Sequence, residues 1–202
     1  MNAVSVSKSS TLTVLLLAIL IFPQAEAIII RHDQADSRYV VYAKQYPQLF
    51  YLHTRFDNKV CMATLINEQW AITAGHCAEE TPLGRMMNSG AGYSVNLDGQ
   101  DYRVEELVMH PYYNHPQQAE AVDLALIKLN RPVTGINPIN PYQGVDEKGK
   151  IVSFIGWGFT GRGNQGVMDN DGKMRRAQNT VMNAGKWLEF IFDDPRDTNS
   201  IA

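Results

Sequence analysis

The sequence is poor in cysteine, in charge of one sign, in long apolar runs and in helical periodicity, and each shortage closes off a class of protein. Cys61 and Cys77 are the only cysteines among 202 residues, which excludes a densely cross-linked scaffold or a cysteine-rich zinc centre. Lys and Arg number 18 against 21 Asp and Glu, and a net charge of −3 offers nucleic acid no electrostatic footprint. The pair Arg175-Arg176 has no basic cluster beside it and reads as a solvated strand or loop pair. The apolar run Leu12 to Phe22 is too short to cross a bilayer comfortably. No long stretch keeps a 3.6-residue apolar period, which argues against a helical fold. Serine is scarce as well. After Asp123 only Ser153 and Ser200 remain, and neither has the glycine neighbours that an exposed nucleophile with an oxyanion hole requires.

What is present points to an exported all-β protein. With 45% apolar and 19% charged residues the chain is too apolar to be disordered, and it is long enough for one large or two small β domains. Lys8, the apolar run, the helix-breaking Pro23 and the small residues of Ala25-Glu26-Ala27 follow the pattern of a signal peptide over residues 1–27. Cleavage after Ala27 would deliver Ile28 onward to an oxidising compartment, secreted or periplasmic, where Cys61 and Cys77 can pair.

From Leu49 onward, short runs rich in β-branched and aromatic residues alternate with turn residues. The pattern predicts strands at Leu49 to Thr54, Val60 to Ile66, Trp70 to Thr73, Tyr93 to Leu97, Tyr102 to Met109 and Leu124 to Leu129. Three more follow, at Ile151 to Gly156, Met174 to Val181 and Trp187 to Phe192. Asp98-Gly99 is a tight-hairpin signal, since both central positions of a type I′ turn need positive φ. Residues 131–150 hold Pro132, Pro138 and Pro141 with three glycines and no strand pattern, as a linker would. The expected organisation is a first barrel over about 28–130, that linker, and a partial second barrel over about 151–202 with too few strands to close.

Two segments carry chemistry. His76 follows the apolar strand Trp70 to Thr73 at a Gly75 turn, and Cys77 can be tied back to Cys61 across a hairpin at Asn67-Glu68-Gln69. Asp123 opens the run Asp-Leu-Ala-Leu-Ile-Lys-Leu, where a buried carboxylate could reach inward from the lip of a core. An imidazole with a carboxylate on its far nitrogen is the proton-transfer part of an acyl-transfer site. Free core thiols or a zinc site remain alternatives for the two cysteines, a metal pair for His110 and His115, and barrel packing for Trp157; His32 and His53 carry no spacing signal.

In order along the chain stand Cys61-Met62-Ala63-Thr64-Leu65-Ile66, Trp70-Ala71-Ile72-Thr73-Ala74-Gly75-His76-Cys77 and His110-Pro111-Tyr112-Tyr113-Asn114. Asp123-Leu124-Ala125-Leu126-Ile127-Lys128-Leu129 and Ile155-Gly156-Trp157-Gly158 follow. This series resembles the chymotrypsin/trypsin-type serine endopeptidases, in particular their secreted bacterial members. The resemblance implies two antiparallel β-barrels, the second incomplete here, and hydrolysis of protein or peptide substrates by a monomer. It implies no cofactor, no nucleic acid and no membrane after signal removal. It gives His76 the role of general base and Asp123 that of its orienting partner, makes Cys61–Cys77 a disulfide, and sets Trp157 near the substrate cleft. The family's Gly-Asp-Ser-Gly-Gly segment is not among the 202 residues, so the chain is expected to stop short of the catalytic serine. Where the family has a short apolar N-terminus that pairs with an aspartate, this chain offers Ile28-Ile29-Ile30-Arg31. A non-catalytic homologue acting as a binding module, or an inactive gene fragment, is the rival reading.

Overall fold

The computed structural model describes residues 26–55, 58–113, 122–192 and 194–196. Of the signal peptide expected over residues 1–27, residues 1–25 lie outside them, as do His115 and Ser200. Four strand elements come first: β1 (Glu26–Ile30), β2 (Val40–Val41), β3 (Leu49–Arg55) and β4 (Asn58–Leu65). β5 (Trp70–Thr73), two short helices, α1 (Gly75–Glu80) and α2 (Pro82–Ser89), and the hairpin β6 (Tyr93–Leu97) and β7 (Gln100–Met109) follow. β8 (Ala125–Leu129) ends the first half; β9 (Ile151–Gly156), β10 (Phe159–Arg162), β11 (Gly166–Asp169), β12 (Met174–Thr180), β13 (Asn183–Ala184) and β14 (Leu188–Glu189) make the second.

Six strands form one sheet in the order β3-β4-β5-β8-β7-β6. The Tyr93 hydroxyl donates to the Leu52 carbonyl, tying β6 back to β3 so that the sheet nearly closes on itself. Alternation along β8 buries Ala125, Ile127 and Leu129, and Ile127 and Leu129 meet Phe50, Leu65, Leu97 and Val104 in one core. Each such Leu or Ile contributes about 1.5–3 kcal/mol by leaving water. The turn Asp98-Gly99 has φ of 47° and 83°, joins the pair Leu97↔Gln100, and is held by the Gly99 N–H donating to Asn96 Oδ1 at 3.0 Å, as the sequence predicts. At the β4–β5 turn, Asn67 Oδ1 accepts from the N–H groups of Gln69 and Trp70.

Residues 131–150 hold no strand, but they are docked on the first half rather than free. Val133 is buried and its N–H donates to Glu68 O, while the Ile139 N–H donates to Leu65 O. In the second half β9 pairs with β12 over six residue pairs, and β12 continues against β2. β1 runs parallel to β10, and Ile28 and Ile30 are buried beside Tyr39. Strands from residues 26–41 therefore belong by hydrogen bonding with strands of residues 159–180, not with the six-stranded sheet.

Several local expectations are corrected. β10 and β11, Phe-Thr-Gly-Arg and Gly-Val-Met-Asp, have no apolar alternation, and only their pairing with β1 and each other makes them strands. The run predicted from Trp187 to Phe192 shrinks to Leu188–Glu189. Helix α2 is short enough to leave no long period, and local capping defines it. Thr81 Oγ1 accepts from the Leu83 N–H, Pro82 occupies the first turn, and Gly90 at φ 74° ends it. Arg175 is not solvated: it is 3% exposed, its guanidinium forked onto both Asp36 and Asp171. Its neighbour Arg176 is the outer member of the pair and donates from Nε to Ser153 Oγ at 3.1 Å.

Candidate active site

Strand register brings the two chemical segments together. β5 and β8 are antiparallel with Thr73 opposite Ala125, so the residues just after β5 and just before β8 emerge at the same end of the sheet. Those residues are His76 and Asp123. Thr73 is itself fixed, its hydroxyl donating to Met62 O at 2.8 Å. Ala74 is extended, and α1 starts at Gly75.

The Asp123 carboxylate grips His76 twice. His76 Nδ1 lies 2.6 Å from Asp123 Oδ2, and the His76 backbone N–H donates to Oδ1 at 2.8 Å. A carboxylate only accepts, so Nδ1 carries a proton, and in the neutral ring Nε2 keeps its lone pair. The backbone bond also supplies α1 with a cap for one of its orphan N–H groups, which Ala74 does not provide. Burial pushes the Asp123 carboxyl up, yet hydrogen bonds from the His76 ring and from the backbone of His76 and Gly75 together outweigh it and leave the group below the ordinary 3.8. Asp123 is not the buried carboxylate that the sequence suggests. Its side chain is 47% exposed, because β8 starts only at Ala125 and leaves Asp123 on the loop before it.

Cys61 and Cys77 form a disulfide with Cα atoms 5.6 Å apart. Cys61 reaches its partner from within β4: Tyr51 pairs with Met62 and His53 with Val60, and Cys61 between them sits at φ 53° with the register unbroken. His76 Nε2 is 3.6 Å from Cys77 Sγ, and since neither atom carries a proton in this tautomer the approach is a packing contact. Cys61, His76 and Cys77 bring potential ligand atoms within 4.8 Å of one another, but both sulfurs are committed to each other and are not thiolates.

Two other residues singled out in the sequence make contacts of their own. Trp157 packs edge-to-face on Tyr51 at 6.0 Å, with the Lys59 ammonium 5.4 Å from its ring. His110 Nδ1 accepts from the Tyr112 N–H at 3.2 Å. Sequence reasoning missed Tyr113, whose ring lies over Gly75 and whose hydroxyl donates to Glu79 Oε2 at 3.0 Å. An aromatic in a turn carries no spacing signal toward a helix more than thirty residues earlier.

A family model described as Trypsin matches residues 39–187, about three quarters of the chain. The chain belongs to the trypsin family. Chymotrypsin-like elastase family member 1 of the dog, Canis lupus familiaris, is 32% identical over 108 residues, 50% of this chain and 41% of that protein. Human kallikrein-5 is 32% identical over 103 residues, 50% of this chain and 34% of that protein. This trypsin-family chain thus spans about two-fifths of the length of the curated relatives it matches, or less. Among solved structures, a mouse-brain serine protease, neuropsin, superposes with a TM-score of 0.53 at 19% identity, covering 72% of this chain and 64% of that one, a likeness of fold. Among the described residues, no helix is long and apolar enough to cross a membrane.

Proposed function

We propose that this trypsin-family chain supplies the proton-transfer half of an exported serine endopeptidase acting on proteins or peptides. His76 is the general base and Asp123 its orienting partner. The observation that carries this reading is the double grip of the Asp123 carboxylate on the His76 ring and backbone, at 2.6 and 2.8 Å. With Nδ1–H committed to Asp123, Nε2 takes the proton of a serine hydroxyl as its oxygen bonds to the substrate carbonyl carbon. It then returns that proton to the amine that leaves as the peptide bond breaks. Water repeats the sequence on the acyl-enzyme. Asp123 holds the tautomer and stabilises the imidazolium that forms in between. The serine of this mechanism would come from a Gly-Asp-Ser-Gly-Gly segment beyond the 202 residues. Residues 1–27 are the export signal, residues 28–130 and 151–202 contribute to the two barrels, and the mature chain works as a monomer without a cofactor.

A specific observation keeps a second reading, a non-catalytic family member that binds through the same scaffold. Of the serines after Asp123, the described Ser153 lies on β9, in a different sheet from the strands that position His76, with its oxygen accepting from Arg176. The deciding experiment uses a serine-directed phosphonate probe on the 202-residue chain and on a chain extended by a natural segment carrying Gly-Asp-Ser-Gly-Gly. The expected result is no labelling of the first, labelling of the second, and loss of that labelling in His76→Ala. An extended chain that takes no label would overturn the enzymatic reading in favour of the binding one. Labelling of Ser153 or Ser200 in the shorter chain, lost in His76→Ala, would place the nucleophile elsewhere than argued.

A further inference from the structure

We infer that the turn at residues 110–113 is a clamp that holds the His76–Asp123 couple in register, with Tyr113 as its positioning residue. On one side the turn grips the backbone flanking Asp123. The His110 N–H donates to Leu124 O at 2.9 Å, and the Val122 N–H donates to Tyr112 O at 3.3 Å, so the residues before and after the carboxylate are both bonded to it. The turn is closed internally by the Tyr113 N–H donating to His110 O at 2.9 Å.

On the other side Tyr113 holds the helix that carries His76, through a side chain of α1 and by packing against Gly75. Its hydroxyl donates to Glu79 Oε2 at 3.0 Å, three residues beyond the histidine on α1. Its ring covers the residue just before the histidine so closely that a β-carbon on Gly75 would lie 2.5 Å from Tyr113 Cδ2. Glycine is thus the residue that admits the ring where it stands. His76 lies in the first turn of α1 and Asp123 on the loop before β8, and their side chains are 34% and 47% exposed. A short hydrogen bond between two such groups is kept in register when both segments that carry them are held, and one turn of chain touches both.

This assignment rests on the reading of His76 as the base, but its test needs no turnover, so it can fail independently of the probe experiment. The measurement is the solvent-exchange rate of the His76 Nδ1–H in ¹⁵N-histidine-labelled protein by NMR, beside that of the Trp157 indole N–H in the same sample. A clamp predicts that Tyr113→Phe, which keeps the ring and loses the bond to Glu79, speeds His76 exchange on the order of threefold, and Tyr113→Ala by about tenfold, with Trp157 exchange unchanged. Glu79→Gln, which still accepts a hydrogen bond, should stay near the parent rate. Unchanged His76 exchange in both Tyr113 variants would overturn the proposal. So would equal acceleration at His76 and Trp157, which would make Tyr113 a general stability residue. If Tyr113→Ala does not fold, the Phe variant alone decides between the same outcomes.

Discussion

Asp123 does two jobs with two oxygens: Oδ2 fixes the imidazole and Oδ1 closes an open N–H at the start of α1. Removing the carboxylate therefore costs stability as well as the hold on the ring. Asp123→Ala should lower stability by about 1 kcal/mol in urea titrations, a hydrogen-bond-sized loss discounted because the side chain is nearly half exposed. The pH sign follows from the direction of the shift. The folded carboxyl titrates below 3.8, so its contribution is fully present above that ordinary value and disappears as pH falls through the lower folded one. The parent should thus lose this increment only in acid, and Asp123→Asn should lack that part of the acid limb. Equal acid limbs in parent and Asn variant would contradict the double grip.

At the scale of elements, the site is a joint between a strand end and a six-residue helix, stapled from behind. Cys61 sits within β4 at a left-handed φ of 53°, a conformation that costs a non-glycine residue of order 1–3 kcal/mol, and its disulfide reaches the residue next to His76. Thr81 continues the fixation. Its buried hydroxyl donates to Cys77 O at 2.6 Å and accepts from Leu83 N–H, linking α1 to α2. Closing the 16-residue separation between the cysteines stabilises by about 3 kcal/mol on the chain-entropy estimate. The Cys61→Ala/Cys77→Ala double variant should accordingly fall by about 2–4 kcal/mol in denaturant titrations. Mass spectrometry of non-reduced peptides should recover the two cysteines linked in the parent. A double variant as stable as the parent would show that the staple is incidental.

In the molecule as a whole, the N-terminal segment is a bridge built on charge. Arg175, on β12, is 3% exposed and bonds to Asp36 near β2 at 2.8 Å and to Asp171 in the turn before β12 at 2.8 Å. Arg175 holds Asp171 well below the usual carboxylate range, against the opposing effect of burial. Deleting the guanidinium strands two carboxylates, so Arg175→Ala should cost about 2–3 kcal/mol, at the low end for a buried network because both acids keep some exposure to water. Because Asp171 titrates low in the folded state, its share is present above about pH 4 and is lost as pH drops further. Asp171→Asn should flatten that acid limb in urea midpoints measured from neutral to low pH. The same half of the molecule leaves apolar residues exposed, Ile151 at 59% and Phe154 at 42% among them.

The sequence by itself determined the first sheet, the Asp98-Gly99 turn, the disulfide partners and the identity of the His76–Asp123 pair. Each of these is written in local chemistry: period-two alternation, two residues that tolerate positive φ, and motifs a few residues long. It did not reveal β10 and β11, whose residues carry no alternation and become strands only because β10 pairs with β1 and β11 with β10. Nor could it reveal that Arg175 is buried, because a charge enters a core only where partners from distant segments meet it, and Asp36 is 139 residues away. The exposure of Asp123 and the clamp through Tyr113 were likewise decided by tertiary structure. Both depend on where β8 begins and on which turn lies over Gly75, and these are set by strand register across the six-stranded sheet rather than by any neighbour in sequence.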